Sequence, residues 1–290
     1  MTKSETVPLV SIGMPVYNGE RFIRKALDSL LAQNFKDFEL IISDNASEDA
    51  TQQICFEYAS KDSRIRYYRN EINLGAIENS RNVLELSSGK YFMFAADHDL
   101  YEPNFISRCV EILEKDSSVV LCYPKTAWID TDGNFLEVIP GHFDTRGLKQ
   151  ISRFNVTLWR LGYCYQFYGL MRLEIFRQTN TYEGVVGPDV IRLSELSLLG
   201  AFAYVPELLF HMRKMPDYGD WNKYAEKLKI HLTIWSALYM YMDMIYHHLL
   251  LVRYVRSYIK KVVLATSVLI CMVVKYHWIF IGLISSSVKK

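Results

Sequence analysis

"VSIGMPVYNGERFIRKALDSLLAQ", Val10 to Gln33, joins a short apolar run to a segment with apolar residues at helical spacing, through the polar turn "PVYNGE". The same alternation recurs up to about Leu121. The runs "FELIIS", "IRYYR", "YFMFAA" and "VVLCY" read as strands, and segments such as "PNFISRCVEILEKD" read as helices. Strands separated by helices imply βαβ units, hence an α/β, Rossmann-like and mostly parallel sheet covered on both faces. Ligands of such sheets bind beyond the carboxyl ends of the strands. The loops there read "PVYNGE", "SDNASEDAT", "NEINLGAIEN" and "ADHDLYEP", all polar.

Composition narrows the class without naming a partner. With 290 residues and 50% hydrophobic content the chain can bury a full core. Its 33 basic and 32 acidic side chains give a formal charge of +1, so no global field recruits nucleic acid. Five cysteines, Cys55, Cys109, Cys122, Cys164 and Cys271, are scattered through apolar runs and read as buried free thiols. The N-terminal run is interrupted by Pro15 and lacks the core of a signal peptide, which places the first domain in the cytoplasm.

From about Trp128 the pattern changes. "DTDG" reads as a turn between two strands, and an aromatic stretch then precedes "YGLMR". "GPDVIRLSELSLLG" reads as a helix begun near Pro188 and stopped at Gly200, with Leu193, Leu196 and Leu199 toward the core. "AFAYVPELLFHMR" reads as a strand pair broken by Pro206. Residues 1–216 therefore form one domain, divided at about residue 125 into a first half and a half comprising about 126–216, and residues 217–290 form a helical C-terminal region. Val262 to Val288 is almost wholly apolar, but Lys275 and His277 interrupt it, which is costly for a span and natural for a kinked or interfacial segment. The preceding helix carries aromatics together with Arg253, Arg256, Lys260 and Lys261, a pattern suited to anionic headgroups. Contact with a membrane surface is expected rather than crossing.

The loops suit a metal-bound diphosphate. A hard divalent ion, Mn²⁺ or Mg²⁺, takes carboxylate oxygens while keeping sites for phosphate and water. Asp97 and Asp99 lie two apart at a strand end, where they can share an ion or divide the work between ion and sugar; Asp99 can equally cap the helix starting near Pro103. Asp44 can accept the imide N–H of a uracil or thymine, while Ser47 and Asp49 read as caps for the helix that follows. Tyr17 offers a ring to stack on a base, and Asn18-Gly19 a tight turn.

In order, "VSIGMPVYNGERFIRKALDSLLAQ", "FELIISDNASEDAT", "NLGAIENSRN", "SSGKYFMFAADHDLYEPNF", "YGLMR" and "GPDVIRLSELSLLGAFAYVPELLFHMR" resemble the family 2 glycosyltransferases, inverting enzymes of the GT-A fold, among them those of bacterial surface-polysaccharide assembly. The resemblance covers about Val10 to Pro216. It implies that Pro15, Val16, Tyr17 and Asn18 line the nucleotide, that Asp44 reads the base, and that Asn73, Gly75, Asn79 and Arg81 flank the nucleotide or donor sugar. It implies that Asp97 and Asp99 hold ribose and metal-diphosphate, Asp99 being the metal ligand. His98 departs from the family pattern by separating the two acids, and reads either as a hydrogen-bonding loop residue beside the donor or as a further ligand to the ion. Asp189 takes the place of the general base for an acceptor hydroxyl, with Glu195 structural. His211 and Arg213 fall where the family closes over the diphosphate, Arg213 offsetting charge on the leaving UDP or dTDP. Gly169 would let backbone approach the donor sugar, and Arg172 would pair with an acid below the site.

The resemblance thus implies metal-assisted transfer of a sugar, with inversion, from a UDP- or dTDP-sugar to a glycan or lipid-linked acceptor at the inner face of the cell membrane. A homo-oligomer is compatible with this. Two rival readings are a nucleotidyltransferase of similar topology and a catalytically silent sugar- or lipid-binding scaffold. The first lacks a glycine- and basic-rich loop after the first strand, and the second is at odds with the presence of Asp99 and Asp189.

Overall fold

A computed structural model of the chain describes residues 7–182, 185–216, 223, 231 and 233–288. The helix expected over residues 217–222, 224–230 and 232 lies outside the described residues. The chain divides into two compact units. The first comprises Met1–His142, Tyr165–Gln178 and Phe202–Lys214; the second comprises Phe143–Cys164, Thr179–Ala201 and Met215–Lys290. The units interleave along the sequence instead of following one another.

The first unit is built on β1 (Val10–Val16), α1 (Ile23–Leu31), β2 (Phe38–Asp44), α2 (Thr51–Lys61), β3 (Ile65–Arg69), α3 (Ala76–Leu86), β4 (Tyr91–Phe94), β5 (Leu100–Tyr101), α4 (Phe105–Lys115), β6 (Val119–Ile129), β7 (Phe135–Val138) and β8 (Leu170–Arg172). It closes with β9 (Ala201–Arg213), whose first residue belongs to the second unit. Strand order is β3-β2-β1-β4-β8-β6-β9-β5, with β7 pairing β6. β1 lies parallel to both β2 and β4, whereas β8 is antiparallel to β4 and β6, and β5 to β9. β1 is buried on both faces, as a central parallel strand must be. Its helix buries Ile23, Ala26, Leu27 and Leu30, one stripe at the helical period.

The chain runs β1, β2, β3 outward on one side of β1 and returns to β4 on the other. The strand order therefore reverses at β1/β4, and the loops after these two strands border the crevice that this reversal opens. That point, set by connectivity alone, places "YNGE" beside "ADHD".

Two local expectations are corrected, and a third residue proves to have a packing role. β9 is a single strand that passes through Pro206, whose ring is exposed. Among the described residues Arg172 pairs with no acid; its guanidinium donates to the carbonyls of Val119 (2.7 Å), Leu113 (2.6 Å) and Asp116 (3.1 Å), closing the carboxyl end of α4. Gly169 is demanded by packing, since a Cβ there would sit 2.7 Å from the Cys122 carbonyl of β6. The turn expected at "DTDG" is present between β6 and β7, with Asp130 Oδ1 accepting from the N–H groups of Asp132, Gly133 and Asn134.

The second unit is helical: α5 (Gln150–Arg160), α7 (Pro188–Leu199), α8 (Ile234–Leu250), α9 (Tyr258–Val274) and α10 (His277–Val288), while the short α6 (Leu173–Phe176) belongs to the first unit. α7 begins after Gly187, at φ 64°, with Pro188 in its first turn, and ends at Gly200. Leu193 and Leu196 are buried as expected, and Leu199 is partly exposed. Glu195, wholly buried, accepts hydrogen bonds from Asn180 N (2.9 Å), Asn180 Nδ2 (2.6 Å), Tyr182 OH (2.9 Å), Tyr254 OH (2.5 Å) and Arg253 Nη2 (3.0 Å). A buried carboxylate needs such partners, and here they fasten the 180–182 segment and the turn after α8 onto α7.

The apolar run from Val262 is not one helix. It breaks at Lys275–Tyr276, where the Lys275 ammonium and the Tyr276 hydroxyl donate to the carbonyls of Leu158 and Leu161 at the end of α5. The cation that interrupts the run thus satisfies helix-terminal carbonyls that have no partner of their own. Among the described residues no helix is long and apolar enough to cross a membrane. All five cysteines are buried free thiols.

Candidate active site

At the carboxyl ends of β1 and β2 the two loops are laced together. Asn18 N donates to Ser47 Oγ (2.9 Å), Gly19 N to Thr51 Oγ1 (2.8 Å) and Glu20 N to Asp49 Oδ2 (3.1 Å), while Glu48 N donates back to Asn18 Oδ1 (2.9 Å). Asn18 adopts φ 52°, a left-handed value that asparagine tolerates better than most residues. Ser47 therefore serves the neighbouring loop instead of capping α2, whereas Asp49 Oδ1 does accept from Thr51 N at 2.9 Å. Tyr17 is left 45% exposed, a free ring at the rim. Pro15 and Val16 end β1 in register with Ser43 and Asp44, and Val16 is buried.

Asp44 is fully buried. Its Oδ1 accepts from Ser47 N (2.9 Å) and its Oδ2 from Tyr67 OH (2.7 Å), with Arg69 Nε at 3.8 Å. Each oxygen retains one lone pair for a further donor, but the side chain is fully buried, so a base reaches it only if a covering group moves. Asn79 is likewise buried: its amide donates to Ser43 O (2.8 Å) and its Oδ1 accepts from Ser43 Oγ (2.7 Å) and Asn70 Nδ2 (3.0 Å). It braces the strand ends from beneath. Asn73 Oδ1 accepts from Gly75 N (2.9 Å) and Asn45 Nδ2 (2.8 Å), and Gly75, at φ 88°, supplies a backbone that other residues resist. Arg81 pairs with Glu78 at 2.8 Å.

One residue outside the expected set proves central. Asn45, 3% exposed, receives Asn70 Nδ2 and Leu74 N on its carbonyl oxygen and donates to Asn73, while its N–H reaches Val16 O. It links three loops. Only its position directly after Asp44 at a strand end could have singled it out.

The acidic tip follows β4. Asp97 Oδ1 lies 2.8 Å from His98 Nδ1, and His98 Nε2 lies 3.9 Å from Asp99 Oδ1, so the imidazole stands between the two carboxylates. Burial disfavours the imidazolium, but the Asp97 hydrogen bond and the two neighbouring charges outweigh it and raise the His98 pKa above its usual value. Asp99 is 1% exposed. It caps no helix, the cap position of α4 being Asn104; Arg213 N donates to its Oδ1 at 2.8 Å. Burial pushes its pKa up to about 6 against the opposing influence of His98 and the Arg213 N–H. Gly19 packs on Asp97 so closely that a Cβ there would collide with its carboxylate and stand 2.7 Å from Val16 Cγ2.

Arg213 completes the tip. Its Nε donates to His98 O (2.7 Å), its Nη1 to Asp130 O (2.7 Å) and Thr131 O (2.9 Å), and the guanidinium carbon lies 4.7 Å from the Phe22 ring centroid. Its Nη2 is buried with no partner among the described residues, the kind of orphan that a ligand oxygen satisfies. His211, by contrast, is spent on Glu102 at 2.9 Å.

Among the described residues no group of three or more His, Cys, Asp or Glu side chains is arranged to hold a metal ion. One or two carboxylates beside an unsatisfied guanidinium N–H fit a different mode, in which a divalent ion is held by one or two acids and mainly by substrate phosphates and water.

Asp189, in the second unit, is half-buried in the first turn of α7, with Val190 N donating to its Oδ1 at 2.9 Å. It is not the cap residue, a place taken by Gly187. Withdrawal from water raises its pKa, opposed by hydrogen bonds from Cys164 and the Val190 N–H. A carboxylate with raised proton affinity is suited to taking a proton from an alcohol.

The model of glycosyl transferase family 2 matches residues 11–179. An uncharacterised glycosyltransferase of Rickettsia bellii is 37% identical over 154 residues, 52% of this chain and 21% of that protein. One from Methanocaldococcus jannaschii is 30% identical over 146 residues, 49% and 50%. Chondroitin synthase of Escherichia coli is 32% identical over 130 residues, 45% and 19%. The matched region therefore spans a half or less of each relative. Among solved structures, S. aureus TarS in complex with UDP-GlcNAc superposes with a TM-score of 0.66 at 16% identity, covering 91% of this chain and 72% of that one. The mannosyltransferase PcManGT from Pyrobaculum calidifontis, with GDP-Man and Mn²⁺, gives 0.57 at 15%, covering 98% and 87%. These likenesses establish the shared GT-A fold.

Proposed function

The chain belongs to glycosyl transferase family 2, and on that premise we propose that it moves one sugar, with inversion, from a nucleotide diphosphate sugar to a glycan or lipid-linked acceptor at the inner face of a membrane. The observation that carries the donor half is Arg213: a buried guanidinium with an unmatched N–H, fixed beside Asp99 at the strand-order reversal. A diphosphate oxygen supplies the missing acceptor, and the charge-assisted bond strengthens as negative charge builds on the leaving nucleotide.

Tyr17 stacks on the base, and Asp44 reads it once its cover moves. UDP and dTDP satisfy that carboxylate through their imide N–H. The UDP-GlcNAc complex of a structural neighbour is consistent with a uridine donor, and the GDP-Man complex of another makes guanosine the comparison to test. A divalent ion, Mn²⁺ or Mg²⁺, would be held by Asp99, with Asp97 beside it, and would supply neutralisation of the diphosphate. Asp189 accepts the proton of the attacking hydroxyl, and its raised proton affinity is the property a general base needs. Family membership stands against the nucleotidyltransferase reading, and the retention of Asp99 and Asp189 against a silent scaffold.

The test is a panel of UDP-, dTDP- and GDP-sugars with Mn²⁺ and an undecaprenyl-linked acceptor, comparing the natural chain with Asp99→Asn and Asp189→Asn. Turnover should fall by about 10²-fold or more in each, the size expected of a lost base or a lost charge-stabilising group. Variants that turn over at the rate of the natural chain would remove both assignments.

A further inference from the structure

α9 has two apolar faces. Leu264, Val268, Cys271 and Met272 are buried within the second unit. On the opposite side Tyr258, Ile259, Val263, Ile270, Val273 and Val274 follow one another at helical spacing and are between 46% and 80% exposed. Beside them a cleft of about 370 Å³ opens between this face and Trp159 of α5. An apolar stripe running the length of a 17-residue helix, about 26 Å, is more than a soluble surface ordinarily leaves uncovered.

Charge decides what covers it. From Met244 to Lys290 the sequence holds seven Lys or Arg and no Asp or Glu. Arg256 and Lys260, at the amino end of the stripe, are exposed. A second copy of the chain would bring the same cations to this face with no acid on that stretch to meet them. A bilayer containing anionic lipid offers both a hydrocarbon boundary and phosphate groups. The helix cannot enter as a span, because it breaks where Lys275 is fastened to the end of α5.

We infer that the outward face of α9 lies flat in the headgroup–acyl boundary of an anionic bilayer, with Arg256, Lys260 and Lys261 at the lipid phosphates. This deepens the membrane placement proposed above and rests on it, not on the sugar chemistry. Hydrophobic contact and cation–phosphate attraction act together, so both are needed for stable attachment.

The full chain is to be co-sedimented with vesicles of phosphatidylcholine alone and of phosphatidylcholine mixed with phosphatidylglycerol, across a salt series. Binding is expected to the mixed vesicles only, weakening as salt rises. Lys260→Gln and Lys261→Gln should each cost about fivefold in partitioning. Val263→Asp with Ile270→Asp should abolish binding, while the thermal unfolding transition and donor turnover on a soluble acceptor stay unchanged. Equal binding by all variants, or no binding to mixed vesicles, overturns the inference. So does a dimer in sedimentation that the Val263→Asp/Ile270→Asp variant dissociates, since the face would then belong to a second copy. Vesicle binding as expected without turnover of any donor would leave this surface in place and remove the proposed reaction instead.

Discussion

Replacing Glu195 with alanine removes the acceptor shared by five hydrogen bonds inside the helical unit. The losses differ by donor. The hydroxyl of Tyr182, a residue 7% exposed, has no water to turn to and costs about 1–3 kcal/mol when orphaned, whereas Asn180 is exposed and its N–H regains water. Arg253, with its side chain 49% exposed, regains water and accounts for no more than about 1 kcal/mol. The total comes to roughly 3 kcal/mol, at the low end of the cost of breaking a buried charge network. At roughly 3 °C per kcal/mol for a chain of this size, the unfolding midpoint should drop by about 10 °C. Circular dichroism melts of Glu195→Ala and Arg253→Ala at neutral pH measure the difference. A Glu195→Ala midpoint no lower than that of Arg253→Ala would show that the network does not hold α7 in place.

Two further outcomes follow from the geometry. Gly19→Ala puts a methyl group into the Asp97 carboxylate and the Val16 side chain, so donor KM should rise about tenfold or more with little change in unfolding midpoint; titration of a non-hydrolysable donor by calorimetry checks it, and unchanged affinity would mean Asp97 plays no part in holding the donor. Burial lowers the His248 pKa from 6.5 to about 4, so as pH falls through that window the unfolded chain takes up a proton that the folded one refuses. This group should therefore remove at most about 3 kcal/mol of stability from about pH 6.5 toward pH 4, opposed by Asp99, whose raised pKa favours the folded state as pH falls below about 6, and in urea titrations His248→Phe should lose less stability to acid than the natural chain. The half-buried His142, also lowered to about 4, adds a contribution of the same sign.

The first half of the sheet was legible because its strands are continuous apolar runs and its helices carry one clean stripe: Val10–Val16 and Ile23–Leu31 declare themselves by period alone. Pro206 misled because a proline is read as a break, whereas the long β9 carries it with its ring exposed. Arg172 misled for a different reason. A charged residue suggests a charged partner, but the orphan carbonyls at the end of α4 compete for the same donors and are invisible in a linear sequence. Of the site, the acidic tip and its strand-end position could be read directly, and Arg213 came only through family resemblance. Asn45 gave no signal beyond its place after Asp44, and the donors to Glu195 gave none, because their importance lies in partners 13 to 59 residues away.

The chain passes from one unit to the other five times. During synthesis the outer strand β5 must therefore wait for β9, 109 or more residues later, before its edge is paired, as the Glu102–His211 contact beside them illustrates. Until Phe202–Lys214 has left the ribosome neither body can close, so nascent chains stalled before that point should be protease-sensitive throughout and dependent on holding chaperones. Excising either body with one pair of terminal cuts would cost it a strand or a helix, and an autonomous version of the donor-binding body would need its three segments rejoined by new linkers.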